Sequence, residues 1–344
     1  MKGERPTLND VAAAAGVSRN TVSLTLQRSP LVRPATAARV WQAVRATGYR
    51  ANRAARALRS GRSRTLGVVQ FDPERYQLGE FYYPVLAALT HGANARGYDV
   101  LLLAPRVQPD PDWLREIGHG GRVDGLVFLG ARTDREAVGR LAAAGLPVAH
   151  VGRREVPGGD LPHVTADNAA GVAMATRHLI DHGHRRIAFA ATDLVLESHR
   201  DRLDGYRAAL AAAGIPVDPA LILIQREVPD GAFRLPAGGP GTAPPTGLVT
   251  TDSAGWTLLA RAREGGRRLP QDLAVVAYND TGLGARYDPP LTTVDVSREE
   301  MGERAAALVI DLIEGRTGVV RAQAVPPRLV VRRSCGCPPG AGAA

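Results

Sequence analysis

The sequence predicts an all-α helix-turn-helix headpiece joined to an α/β core of two doubly wound parallel-sheet lobes. Three observations carry this expectation. A chain of 344 residues has room for two or three hydrophobic cores. Residues 1–64 show apolar spacing of the helical period and hold thirteen basic residues against two acidic ones, a net of +11. From Thr65 onward, short β-rich runs alternate with helical segments, and that body carries only −2 of the total of +9.

The headpiece reads as three helices. Leu8, Val11, Ala12 and Ala15 fall at i, i+3, i+4 and i+7, with Thr7 as N-cap and Asp10 three residues on. Gly16 supplies a position that tolerates positive φ, and Ser18 can cap a second helix whose Val22 and Leu26 share a face. A small residue at the crossing, a flexible turn and a core anchor are what a helix-turn-helix needs, and Ala12, Gly16 and Val22 have that spacing. A third helix opens near Pro34, buries Ala37, Val40, Trp41 and Val44, and stops at Gly48. In such a motif the start of the second helix enters the major groove. That puts Arg19, suited to guanine O6 and N7, and Asn20, suited to adenine N6 and N7, at base edges. Ser18, Thr21, Ser23 and Gln27 are expected as phosphate or supporting contacts.

The body divides into two strand series. "TLGVVQF", "YDVLLLA", "GLVFLG" and "PVAHVG" form the first, and "RRIAFAA", "ALILI", "TGLVTTD" and "LAVVAYND" the second. Helices such as 169–182 and 199–213 lie between strands of the second series. In open sheets of this kind ligands collect outside the carboxyl ends of the strands. The Gly/Pro-rich run 234–247 cannot hold a regular helix and reads as a loop.

Composition excludes several function classes. No stretch of about 18 uncharged apolar residues exists to span a bilayer, and the start shows no secretory pattern, so a cytoplasmic, nucleoid-associated protein is expected. The chain lacks G-x-G-x-x-G and G-x-S-x-G, and its only lysine, Lys2, rules out a Walker-type loop; no enzyme and no cofactor are expected. Cys335 and Cys337 stand one residue apart, a poor geometry for a disulfide and short of the four ligands of a structural zinc site. They read as incidental tail thiols, and no metal site is assigned. His182 and His184 lack an acidic or cysteine partner at ligand spacing and are expected in capping or surface roles.

The run from Thr7 through "TLNDVAAAAGVSRNTVSLTLQRSP" to "ARALRSGRSRTLGVV" resembles the headpiece and hinge of the lactose-repressor (LacI/GalR) family of transcriptional regulators. "HVTADNAAG", "HLIDHGHRRIAFAA", "SHRDRLDGYRAAL" and "GARYDPPLTTVDVSREEMGERAAALVIDLIEG" resemble that family's periplasmic-binding-protein-like core across the rest of the chain. The resemblance implies a homodimer on a pseudo-palindromic double-stranded DNA operator, acting as a repressor modulated by a small-molecule effector, a sugar or related metabolite. Alternatives are a ligand-independent regulator and a small-molecule binding protein. The domains are then 1–50 headpiece, 51–63 hinge and 64–335 core, with 336–344 a tail. The lobes take roughly 64–163 with 293–320, and 164–292 with 321–335.

By the same resemblance Thr7, Leu8, Ser18, Arg19, Asn20, Ser23, Gln27, Val32, Thr36, Tyr49, Asn52, Ala55 and Leu58 contact DNA, and Leu58 wedges into the minor groove. A seven-residue hinge helix is too short to be stable alone and would order on DNA. Arg202, Asp252 and Asn279 match effector-contacting positions, and Phe81 and Tyr82 match aromatic positions at the pocket mouth. From the residues alone, Arg202 has the alternative of a surface ion pair with Asp201 or Asp204. The chain departs from the family at Leu24, where relatives often carry a polar or basic reader, and at Thr251, Asn279 and Gly130 around the pocket. With no room for an apolar heptad helix in the run 332–344, a dimer is expected over a tetramer.

Overall fold

A computed structural model describes residues 6–26, 29–49, 61–70, 79–103, 116–117, 120–130, 135–224, 235–238 and 243–337. The side chains of 79–80, 252–254 and 256–257 lie outside that description. The chain forms two compact units, Met1–Ser63 and Arg64–Ala344.

The first unit contains α1 (Leu8–Ala15), α2 (Arg19–Leu26) and α3 (Pro34–Thr47). Thr7 and Asp10 close a reciprocal capping box: Asp10 N donates to Thr7 Oγ1 at 3.4 Å, and Thr7 N donates to Asp10 Oδ2 at 2.7 Å. Both orphan donors at the helix start are thereby satisfied. Gly16 ends α1 with φ 61° and ψ 43°, the left-handed conformation that a side chain would strain. Thr21 N donates to Ser18 Oγ at 3.1 Å and caps α2. Val11, Ala12, Ala15, Val22, Val40 and Ala43 make the small core, with Leu8, Val17, Leu26, Val44 and Tyr49 against it. Trp41 corrects the expectation for α3. It is 36% exposed, and Ala43, one turn on from Val40, takes the buried place in the headpiece core.

The second unit is built on two six-stranded sheets. Its strands in chain order are β1 (Thr65–Gln70), β2 (Asp99–Leu103), β3 (Gly125–Leu129), β4 (Val148–Val151), the hairpin β5 (Glu155–Val156) and β6 (Gly159–Asp160), β7 (His163–Ala166), β8 (Ile187–Ala191), β9 (Ile222–Ile224), β10 (Gly247–Val249), β11 (Ala274–Asn279), β12 (Thr292–Asp295), β13 (Ala322–Val325) and β14 (Arg328–Val330). Between them run α4 (Gly79–Ala95), α5 (Arg135–Ala143), α6 (Asn168–Asp181), α7 (Glu197–Ala212), α8 (Asp252–Glu264) and α9 (Arg298–Ile313).

The first sheet has the order β13-β7-β4-β3-β1-β2 and is parallel throughout. The second runs β14-β12-β11-β10-β8-β9, with only β14 antiparallel. Parallel strands need both faces covered, which is why β3 and β8 read as unbroken apolar runs and why they and β4 are buried at every position.

Strand pairing shifts the expected lobe limits. Thr293–Asp295 pairs within the second sheet, whereas Val164–Ala166 and Ala322–Val325 pair within the first. The chain therefore crosses between lobes after Ala166, after Asp295 and between Val325 and Arg328. The described parts of the Gly/Pro-rich run, 235–238 and 243–246, contain no helix. The expected tail is also corrected. Cys335 and Cys337 belong to the main buried cluster, because Ser334 Oγ donates to Val275 O at 2.6 Å and Thr292 N donates to Ser334 Oγ at 2.8 Å, stitching this segment onto β11 and β12.

Candidate functional sites

The first unit exposes the face that the helix-turn-helix reading requires. Ser18, Arg19 and Asn20, at the start of α2, are exposed, as is Thr7 at the start of α1. Ser23, Val32 and Thr36 are half-buried; Leu8 and Tyr49 lie partly buried against the headpiece core. Gln27, Asn52, Ala55 and Leu58 lie outside the described residues.

In the second unit, Arg202 on α7 turns inward. Its Nε donates to Asn168 Oδ1 at 2.9 Å, and an Nη donates to Asn279 Oδ1 at 3.4 Å. The guanidinium lies 4.2 Å over the Tyr278 ring, whose hydroxyl donates to the same Asn168 oxygen at 3.2 Å. Burial pushes the guanidinium down and the nearby Tyr278 and Tyr82 phenols push it back up. Tyr278 is pushed up to about 12, mainly by burial. The alternative of a surface pair does not hold: Asp201 binds Arg153 at 2.9 Å and Asp204 binds Arg207 at 3.5 Å.

Local structure explains the placement. Gly205, one turn after Arg202, lets α7 lie directly on the start of α6; a Cβ there would run into the Ala169 carbonyl. Asn279 ends β11 with φ 103°, and Asp280 follows with φ 46°. Such conformations cost about 1–3 kcal/mol each and persist where neighbours over-determine them. Asp280 is clamped in that way: Arg332 pairs with its carboxylate at 2.9 Å, Arg298 donates to its carbonyl at 2.6 Å, and its amide donates to Thr293 Oγ1 at 3.3 Å. Phe81 and Tyr82, on α4 of the other lobe, are half-buried and meet edge to face at 5.0 Å. Asp252 begins α8, but its side chain is outside the described residues.

Sequence reasoning missed three features. Asn168 and Tyr278 complete the arginine's surroundings; both sit at element ends that the strand pattern had already marked. His150, on β4, lies between the carbonyls of Gly152 at 2.8 Å and Gly130 at 3.1 Å. Burial pushes it down to about 4 despite those carbonyls, and Arg154 adds to the drop. The third is a bridge between lobes. Glu197, only 2% exposed, pairs with Arg135 at 2.7 Å and Arg154 at 3.8 Å, while Asp201 holds Arg153. No spacing signal could reveal it, because the arginines and the carboxylates come from different lobes.

His182 differs from expectation too. Its Nε2 stands 3.0 Å from Cys337 Sγ, a partner 155 residues away that fold topology supplies and spacing cannot. His184 instead meets Thr246 Oγ1 at 3.0 Å.

No helix among the described residues is long and apolar enough to cross a membrane. Residues 7–52 match the lacI family of bacterial regulatory proteins, and residues 176–335 match a periplasmic binding protein-like domain. The chain is 35% identical over 334 residues to the HTH-type transcriptional regulator CelR of Thermobifida fusca, covering 96% of this chain and 98% of that protein. It is 28% identical over 339 residues to catabolite control protein A of Priestia megaterium, covering 95% and 98%. The solved structure of a CelR–cellobiose complex is similar with a TM-score of 0.69 at 32% identity, covering 96% of this chain and all of that one. The headpiece, the two-lobed core and the full-length relatives agree: the chain belongs to the lacI family of bacterial regulatory proteins and is a DNA-binding transcriptional regulator.

Proposed function

We propose that the protein is a cytoplasmic, dimeric repressor whose operator affinity is set by a sugar held around Arg202. The observation that carries this reading is the Arg202 cluster: a guanidinium fixed by two amide oxygens on an aromatic shelf, at the carboxyl end of β11 and the start of α6. A fixed guanidinium donates to paired hydroxyls, and aromatic side chains cover the apolar faces of a sugar ring. The CelR structure with cellobiose supports the class of ligand.

The DNA-facing set runs through Thr7, Leu8, Ser18, Arg19, Asn20, Ser23, Gln27, Val32, Thr36 and Tyr49. The hinge at 51–63 adds Asn52 and Ala55 and inserts Leu58 at the operator centre. Phe81, Tyr82, Arg202, Asp252 and Asn279 contact the effector. Sugar binding changes the balance between closed and open lobes, which the Glu197 bridge favours closing, and a coupling of about 1–3 kcal/mol is typical of such switches. The protein does this without catalysis.

Isothermal titration of the full-length protein against cellobiose, other mono- and disaccharides and nucleosides tests the reading. Heat from a sugar, abolished in Arg202→Ala, is expected. A folded protein that binds no member of the panel, or an Arg202→Ala variant that binds equally well, contradicts it.

A further inference from the structure

The C-terminal Cys-Gly-Cys segment converges with one face of α6. Cys337 Sγ lies 3.3 Å from His178 Nε2 and 3.0 Å from His182 Nε2, and Cys335 Sγ lies 2.9 Å from Cys337 Sγ. The donor atoms of His178, Cys335 and Cys337 all lie within 4.8 Å of one another, and His182 Nε2, against Cys337 Sγ, stands at the edge of this group. We propose that His178, His182, Cys335 and Cys337 form a tetrahedral zinc site that fastens the end of the chain to the second lobe.

Each part of the cluster has the form such a site needs. His178 and His182 stand at i and i+4, so their rings project from one helix face, with centroids 4.4 Å apart. His182 Nδ1 faces the His178 carbonyl at 2.7 Å. A carbonyl only accepts, so Nδ1 carries the proton and Nε2 keeps its lone pair toward the thiols. A backbone carbonyl fixing the far nitrogen in this way is the usual support of a ligating histidine. Gly336, at φ 85°, takes the left-handed turn that lets both flanking thiols face α6. Cys335 Sγ accepts from Thr292 Oγ1 at 3.1 Å and from Cys337 N at 3.4 Å, hydrogen bonds that suit a thiolate.

Two imidazoles and two thiolates are a borderline-soft donor set that favours tetrahedral Zn²⁺ over the hard cations. Bonds of about 2.3 Å to sulfur and 2.0 Å to nitrogen place ligands about 3.3–3.8 Å apart, so the Cys337 contacts of 2.9, 3.0 and 3.3 Å spread by under 1 Å while the exposed His182 ring turns in to close the fourth position. Zinc binding displaces the two thiol protons to solvent, with no change in oxidation state. Both thiols are buried while His182 is exposed, so the ion enters from the α6 end. A disulfide between Cys335 and Cys337 is the rival state. It would close a strained ring across a single residue.

The test uses tag-free full-length protein purified under reductant without added metal and exchanged into metal-free buffer. Elemental analysis is expected to find about one zinc per chain in the wild type and in His184→Ala, and none in Cys337→Ser. His182→Ala, at an exposed position that leaves the core intact, should weaken zinc by more than about 100-fold, beyond the loss seen for supporting residues alone. Cobalt substituted for zinc should give a thiolate-to-metal charge-transfer band that disappears in Cys337→Ser. A wild type that holds neither zinc nor cobalt, metal content unchanged in both ligand variants, or isolation as the Cys335–Cys337 disulfide would overturn the proposal. If Cys337→Ser fails to fold, the His182→Ala affinity alone decides.

Discussion

Arg202 reaches Asn168 at 2.9 Å from a helix that begins five residues earlier, and Asn168 is the first residue of its own helix. Because Nε is fixed by Asn168 and one Nη by Asn279, the guanidinium plane is set before any ligand arrives. Preorganisation of this kind reduces the side-chain ordering cost of binding. Arg202→Lys keeps the charge but cannot hold both amides. It is expected to weaken sugar binding by about 10- to 100-fold in calorimetry, as loss of one fixed charged hydrogen bond would. An unchanged affinity would remove Arg202 from the site.

The Glu197 bridge makes a stability prediction with an internal control. Replacing Glu197 by Ala strands the buried Arg154, whose side chain is 7% exposed, and should cost about 3–5 kcal/mol in urea unfolding. Replacing Arg135 by Ala should cost about 1 kcal/mol or less, since its side chain is 40% exposed and well solvated. Equal losses would mean that Glu197 is held by something other than the buried arginine.

His150 predicts a pH dependence. Its folded value of about 4 lies below the ordinary 6.5, so the unfolded chain takes up a proton first as pH falls. The stabilisation is complete above pH 6.5 and is lost progressively down to about pH 4, amounting to about 3 kcal/mol. His150→Gln should remove that part of the slope between pH 7 and 4.5 in denaturant titrations. A variant with the wild-type slope would show that His150 is already protonated between its two carbonyls.

Much of this was legible in the sequence, for a physical reason. Helix caps and parallel strands are local: Thr7 with Asp10, Gly16, Ser18 and the apolar runs of β3 and β8 are each decided by a few neighbours. Trp41 was misjudged because helical period marks a face but not how deep a gap is. The Glu197 bridge and the pairing of His182 with Cys337 depend on crossovers between sheets, which no spacing encodes. The position of Arg202 came from resemblance, and its partners Asn168 and Tyr278 came only from the fold.

On DNA, Arg19→Ala should cost about 1–3 kcal/mol and relax discrimination at one base pair. Arg56 is one of the basic residues of the 51–63 hinge sequence, and Arg56→Ala should weaken all sequences alike and lower the salt slope by about one. These are separable by fluorescence anisotropy on matched and mismatched duplexes across a salt series. A uniform loss for Arg19→Ala would place that residue on phosphates.

The most direct test of the central claim is selection of bound duplexes from a random library by the purified full-length protein at physiological salt. Paired headpieces with Leu58 at the centre predict an enriched palindrome around a deformable pyrimidine-purine step, with affinity that shifts when the bound sugar is added. Recovery of no motif with or without sugar, despite salt-sensitive binding, would contradict sequence-specific operator recognition.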